Sequence, residues 1–242
     1  MNIVAIILAI VVIFLFYILF KYFSATSTEL TSTASLIEAQ PPITLVNNPT
    51  STRYTYGIWI YVNSWDTSSK KTVFKRDNNI ELYFDASSPT LNCEMSMNNS
   101  GAPVNMVITD NFPLQKWVHI VTSIDNQYLD AYLDGKLIKS ARIYTQAEAA
   151  VPADTANGIQ QMDAIPESMP NQPGNATITL GSGYDAFVAN FTHWASPLDP
   201  QTIWTDYKKG NGQSNLTSYI SSYGVDLSIT TDNGGSTKYS IL

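Results

Sequence analysis

The sequence predicts an all-β protein, an antiparallel β-sandwich of jelly-roll type with roughly a dozen strands, preceded by one N-terminal transmembrane helix. Three observations predict it. An unbroken apolar run opens the chain, period-two alternation dominates the rest, and turn signals recur between the alternating runs. At 242 residues and 44% apolar, the chain is long enough for one large β domain with its own core.

The run "IVAIILAIVVIFLFYILF" fills residues 3–20, with the Tyr17 hydroxyl its only polar group. About 20 helical residues cross a hydrocarbon core of about 30 Å. A cleaved signal peptide is the alternative, but the run is long for one and no Lys or Arg precedes it. It reads as an uncleaved anchor over residues 1–23. Lys21 is the only charged side chain near it, and flanking positive charge assigns the rest of the chain to the cytoplasmic side. Residues 24–42, rich in Ser, Thr and Ala and ending in "AQPP", read as an extended spacer. Residues 43–242 are then the sandwich.

Within it, "YTYGIWIYV" puts Tyr54, Tyr56, Ile58, Ile60 and Val62 on one face and Trp59 and Tyr61 on the other. Aromatic residues on both faces predict a strand covered on both sides. "TVFKR", "IELYFDA", "LNCEMSM" and "VNMVIT" follow as short strands parted by "DNN" and "SSP" turns. "WVHIVTSI", "YLDAYL" and "KLIKSARI" form a meander. Its first turn is "DNQ"; its second, Asp134–Gly135, suits a type I′ hairpin, which needs φ > 0 at both central positions. Residues 144–175 form a long Ala-, Pro-, Asn- and Gln-rich loop. "ATITLG" and "AFVANFTHWA" restore the strand pattern. In "LDPQTIWTDYKKG", Asp199 caps a helix, Pro200 suits its first turn, and Gly210 ends it after Lys208 and Lys209. "VDLSI" and "KYSIL" close the chain as strands.

Composition narrows function. A net charge of −7 without clustered basic residues excludes a nucleic-acid partner. Cys93 is the only cysteine, so no intrachain disulfide exists, in keeping with a reducing compartment. Sequons at Asn98, Asn175, Asn190 and Asn215 are as many as chance provides in a chain so rich in Asn, Ser and Thr.

The order of motifs resembles the concanavalin A-like lectin/glucanase superfamily, in its laminin-G-like and pentraxin-like branch. "YTYGIWIYVNSW" resembles the opening strand, with Trp59 at its central aromatic, and "TVFKRDNNIELYFD" the strand pair that follows. A Trp-x-His strand running into a "YvDGk" hairpin is matched by Trp117, His119, Tyr132, Asp134, Gly135 and Lys136. Gly181, Pro197, Leu198, Ile203, Tyr207 and Gly210 match the closing strand and helical turn; Ala189–Asn190 departs from the Gly often found there. The anchor, spacer and domain together resemble virion proteins of large eukaryotic DNA viruses. That resemblance implies a structural, minor capsid protein linking an internal membrane to a shell. Its partners would be the lipid bilayer and other capsid or membrane proteins. The alternative is a membrane-anchored lectin binding glycans on a cell or virion surface.

Catalysis is not expected. The glucanase branch carries Glu-x-Asp-x-x-Glu on one strand, placing two carboxylates for retaining hydrolysis, and that pattern is absent. Glu81 and Asp85 share parity and read as a solvated acidic pair. His119 and His193 read as structural histidines, and Cys93 as an ordinary strand thiol. No cofactor is implied except calcium, which the resemblance places at one rim of such domains. Asp77 and Asn78 in "RDNN" and Asp125 and Asn126 in "SIDNQ" offer oxygen ligands there, although Asp-Asn pairs are also turn formers. Trp59, Tyr61, Trp65 and Trp194 can stack on sugar rings, and the alternative for each is a place in the core.

Overall fold

The computed structural model describes residues 11–16, 27–44, 51–99, 102–148 and 167–212, and the backbone of 226–230 and 236–240. Two antiparallel sheets enclose one core. The larger has the order β1 (Ser27–Ser35), β11 (Ala186–Trp194), β2 (Arg53–Val62), β7 (Trp117–Asp125), β8 (Tyr128–Leu133), β9 (Lys136–Arg142). The smaller runs β10 (Ile178–Leu180), β3 (Lys71–Arg76), β4 (Ile80–Phe84), β5 (Leu91–Met95), β6 (Val104–Thr109). Strands β12 (Asp226–Thr230) and β13 (Ser236–Ser240) pair with each other in a separate hairpin. The expected closing strands are thus present, outside both main sheets.

Alternation sets the core. Tyr54, Tyr56, Ile58, Ile60 and Val62 on β2 all point inward, where they meet Phe74, Leu82, Phe84 and Cys93 of the facing sheet. The opposite face of β2 is covered too, by the Pro200–Lys209 helix rather than by a third sheet. That helix starts and stops as its sequence dictates. Asp199 accepts from the Gln201 and Thr202 amides, Pro200 opens the first turn, and Gly210 ends it at φ +79°. Ile203 packs with Val121 and Tyr132 in a small second core. The chain entering the helix is pinned to the sheet: the Leu198 amide donates to the Thr55 and Ser123 hydroxyls, both at 3.2 Å. Asp134 (φ +49°) and Gly135 (φ +75°) take the left-handed conformations expected of the β8–β9 hairpin.

One segment departs from expectation. Residues 24–42 are not a spacer, because Ser27–Ser35 form β1, the edge strand paired along β11. Its alternation is hidden in the sequence. Only Leu30 and Ala34 pack on the core from within the strand, a register irregularity falls between Glu29 and Thr31, and the remaining side chains are polar on a solvated edge. Leu36, just beyond, is fully buried. The sandwich therefore begins at Ser27 and not at residue 43. The apolar run is described only over residues 11–16, which are helical; the rest of the expected anchor lies outside the described residues. Among the described residues no helix is long and apolar enough to cross a membrane.

The long 144–175 loop is described at its ends. Thr145 bridges to Ser168, and residues 168–174 then cross one rim of the sandwich. Buried Arg76 holds that crossing, its guanidinium donating to the Gly174 and Ala176 carbonyls and to the Tyr56 hydroxyl, each at 3.1 Å.

Candidate functional site

The outer face of the larger sheet carries a row of three aromatic side chains. Phe187 on β11 stands directly opposite Tyr61 on β2, and Tyr61 opposite Trp117 on β7. At about 4.8 Å between strands, the three side chains form one row of roughly 10 Å. The Tyr61 and Trp117 ring centroids are 5.7 Å apart, tilted by 51°. Phe187 is 41% exposed although it is large and apolar. With Thr33, Ser35 and Val188 the row lines a groove of about 490 Å³ that no charged side chain enters. Such a surface, aromatic faces beside hydroxyls and a backbone edge, suits a neutral ligand with both apolar and hydroxylated faces.

The row was only partly legible. Of the four aromatics singled out for stacking, Tyr61 alone belongs to it. Trp59 is buried between His119 (4.9 Å between centroids) and Tyr207 (5.6 Å), under the helix. Trp194 is also buried, and Trp65 packs edge-on against Phe84 at the core margin. Trp117 and Phe187 were missed as ligands. Parity contains the signal, since Ala186 and Val188 point inward and leave Phe187 outward, but cross-strand register is needed to align the three.

Both histidines are buried. His119 is buried, its backbone amide donating to Asp134 Oδ1 at 3.0 Å and its Nε2 lying 3.5 Å from Asp206 Oδ2. Burial pushes the Asp206 carboxyl up, but hydrogen bonds from His119 and Lys209 outweigh it and hold the group below the usual range. His193 packs beside Tyr56 and Tyr54 (5.1 and 6.5 Å between centroids). Burial, aided by the Arg76 charge, lowers its pKa to about 4. Cys93 is a buried β5 thiol whose pKa burial pushes up to about 12.

The acidic pair is held by neighbours. Glu81 Oε1 accepts from Lys70 at 2.8 Å and Thr72 at 2.9 Å, and Asp85 accepts from Asn92 at 3.0 Å. The calcium candidates do reach one rim, where the 168–174 segment bridges them: Asn171 accepts from Asn79 and shares a groove with Asn126. Yet Asp77 and Asn78 line a different groove from Asn126. Asp77 pairs with Lys75 at 3.1 Å and Asp125 with Arg53 at 2.9 Å, while Asn126 Oδ1 accepts from Thr52. Among the described residues no three His, Cys, Asp or Glu side chains are gathered to hold a metal.

Two antiparallel sheets on one core, with a helix seated on the back of the larger, define a lectin-type β-sandwich domain. The chain belongs to the concanavalin A-like lectin/glucanases superfamily, whose laminin G-type family model matches residues 38–206. No match was found among curated proteins. Among solved structures, the botulinum neurotoxin serotype D ligand-binding domain in complex with N-acetylneuraminic acid is similar at TM-score 0.50 and 14% identity; the match covers 76% of this chain and 43% of that one. Domain 4 of AbnA, a GH43 extracellular arabinanase from Geobacillus stearothermophilus, in complex with arabinotriose, is similar at TM-score 0.44 and 16% identity, over 69% of this chain and 70% of that one. This chain thus spans less than half the length of the neurotoxin domain. At these identities the likeness is one of fold.

Proposed function

We propose that the chain is a non-enzymatic binding domain, held beside a membrane by its apolar 3–20 segment, and that its ligand is a glycan stacked on Phe187, Tyr61 and Trp117. The observation that carries the reading is the row itself: three neighbouring strands place aromatic rings at outward positions, and among the described residues Phe187 stays 41% exposed beside the half-buried Tyr61 and Trp117. Leaving such apolar area in water forgoes about 25 cal/mol per Å² that burial would supply, so a bound partner is its physical rationale. Uncharged lining and flanking hydroxyls favour a neutral sugar over an acidic one.

A second reading has one observation in its favour. Eight residues of β1 separate Ser27, opposite Trp194, from Ser35, opposite Phe187, about 26 Å at strand rise. The row therefore lies at the end remote from the anchor, where a protein shell facing the membrane would meet it, as the minor capsid role requires. Internal use of one sequon, Asn190, favours a cytoplasmic-side domain. Asn190 Nδ2, the atom a glycan would occupy, donates to the Gly210 carbonyl at 3.1 Å.

Detergent-purified chain probed on a glycan array decides between them. Binding to neutral glycans that is lost in Trp117→Ala and Phe187→Ala, with thermal stability retained, is the expected result. An array without binders, together with co-purification of the chain with virions at fixed stoichiometry, overturns the glycan in favour of the shell.

A further inference from the structure

We infer that the rim carrying Arg53, Tyr128, Arg142 and Met169 rests on the phospholipid headgroups of the membrane that holds the chain. The inference rests on the tether reading above and adds the orientation and the contact surface.

Strand β1 occupies residues expected to be spacer. With β1 beginning at Ser27, only three residues separate it from Phe23, or six from Phe20. At no more than about 3.6 Å per residue, those links reach about 14 Å and about 25 Å, whatever conformation they take. Register then decides which end of the domain is near. Ser27 is level with Trp194, Thr55 and Ser123 across the larger sheet. Arg53 and Asp125 lie two residues further toward the bilayer, about 7 Å. Their rim therefore comes within about 7–18 Å of the hydrocarbon edge, against a headgroup layer of about 5–8 Å. Seating the opposite rim on the membrane would lift Ser27 by the length of β1, about 26 Å, well beyond the shorter link and at the full stretch of the longer, so the near rim is the favoured one.

The chemistry of the near rim suits that contact. Tyr128 is 54% and Met169 38% exposed, and the two line one groove with Asp125, Asn126 and Gln127. Arg53 and Arg142 flank them at the surface, Arg53 paired with Asp125 at 2.9 Å and Arg142 donating to Gln127 Oε1 at 3.1–3.2 Å, so that each keeps further N–H donors toward solvent. An apolar body with a polar tip beside guanidinium donors is the composition that partitions to the headgroup level and bonds phosphate oxygens. On the far rim the 66–70 loop presents Asp, Thr, Ser and Lys, and Ile37 stands exposed there with no arginine in that loop beside it.

The test uses full-length chain in phosphatidylcholine vesicles bearing a headgroup-linked fluorescence quencher. A fluorophore is attached through Gln172→Cys, exposed on the near rim, or Thr67→Cys, exposed on the far one. Cys93 is buried and leaves the labelling specific. The Gln172 label should lose most of its emission, and the Thr67 label none. Equal quenching, or stronger quenching at Thr67, overturns the orientation while leaving the tether intact. Chain that fails to float with the vesicles removes the tether reading, and this inference with it.

Discussion

Gly181→Ala tests how β10 closes onto β3. Gly181 follows β10, and its amide donates to the Val73 carbonyl at 3.0 Å. A Cβ there would stand 1.6 Å from the Thr72 carbonyl oxygen and 2.6 Å from its carbon, both backbone atoms. Ordinary contact needs a separation larger by roughly 1.5–2 Å, so the two backbones must part. Parting them breaks the Gly181 amide bond, worth about 0.5–1.5 kcal/mol, and strands the Tyr184 hydroxyl, which donates to Thr72 O at 2.9 Å. Tyr184 is buried, and an orphaned buried hydroxyl costs about 1–3 kcal/mol more. The sum is roughly 1.5–4.5 kcal/mol, or about 3–18 °C in Tm for a chain of this size. Gly183→Ala is the control. Its φ is +84° but nothing lies within 4 Å of the added carbon, so only left-handed strain of about 1–2 kcal/mol applies. Thermal denaturation followed by near-ultraviolet circular dichroism should place Gly181→Ala well below Gly183→Ala. Backbone conformation alone orders them the other way. A Gly181→Ala midpoint within about 2 °C of wild type would refute the close approach.

Three further outcomes are expected. Gly135→Val forces a β-branched residue to φ +75° and drives its Cβ to 2.6 Å from the Trp204 ring; urea titration should show a loss of at least about 1–3 kcal/mol. Because the native His193 pKa is about 4 against about 6.5 unfolded, the unfolded chain binds the extra proton. Stability is full above about pH 6.5 and falls by up to roughly 3 kcal/mol as pH drops toward 4; His193→Gln should flatten that window, and an unchanged pH profile would contradict the assignment. Incubation with laminarin should release no sugar, since Glu81 and Asp85 are engaged by Lys70, Thr72 and Asn92; hydrolysis abolished by Glu81→Gln would reverse the non-enzymatic reading.

Which parts of the fold were legible follows from where each strand sits. β2 was readable on both faces because it is central: its inward residues meet the other sheet, while outward Trp59 meets the helix and outward Tyr61 the aromatic row, so both parities are apolar. The Asp134–Gly135 hairpin and the Asp199 and Gly210 caps were readable because backbone conformation there narrows residue choice to a few types. β1 was not, because an edge strand needs only one face apolar, and here Leu30 and Ala34 are its whole contribution to the core. Ser and Thr fit an extended spacer and a solvated strand equally well.

That one strand changes the functional argument more than any side chain does. A nineteen-residue spacer over 24–42, at about 3.3 Å per extended residue, would let the sandwich stand some 60 Å from the bilayer and turn freely. With Ser27–Ser35 paired along β11, the same residues become part of the rigid body. The sheet then acts as its own ruler, holding Phe187, Tyr61 and Trp117 at the end about 26 Å beyond Ser27, with Arg53, Tyr128 and Met169 at the end nearer Ser27. The site was illegible for a related reason. Tyr61, Trp117 and Phe187 are 56 and 70 residues apart in sequence, and only the antiparallel registers of β2 with β7 and β11 set them side by side. Alternation tells which face a residue takes, but not which residues of other strands it stands beside. A binding row spread over three strands is a property of register, and register is fixed by the whole sheet.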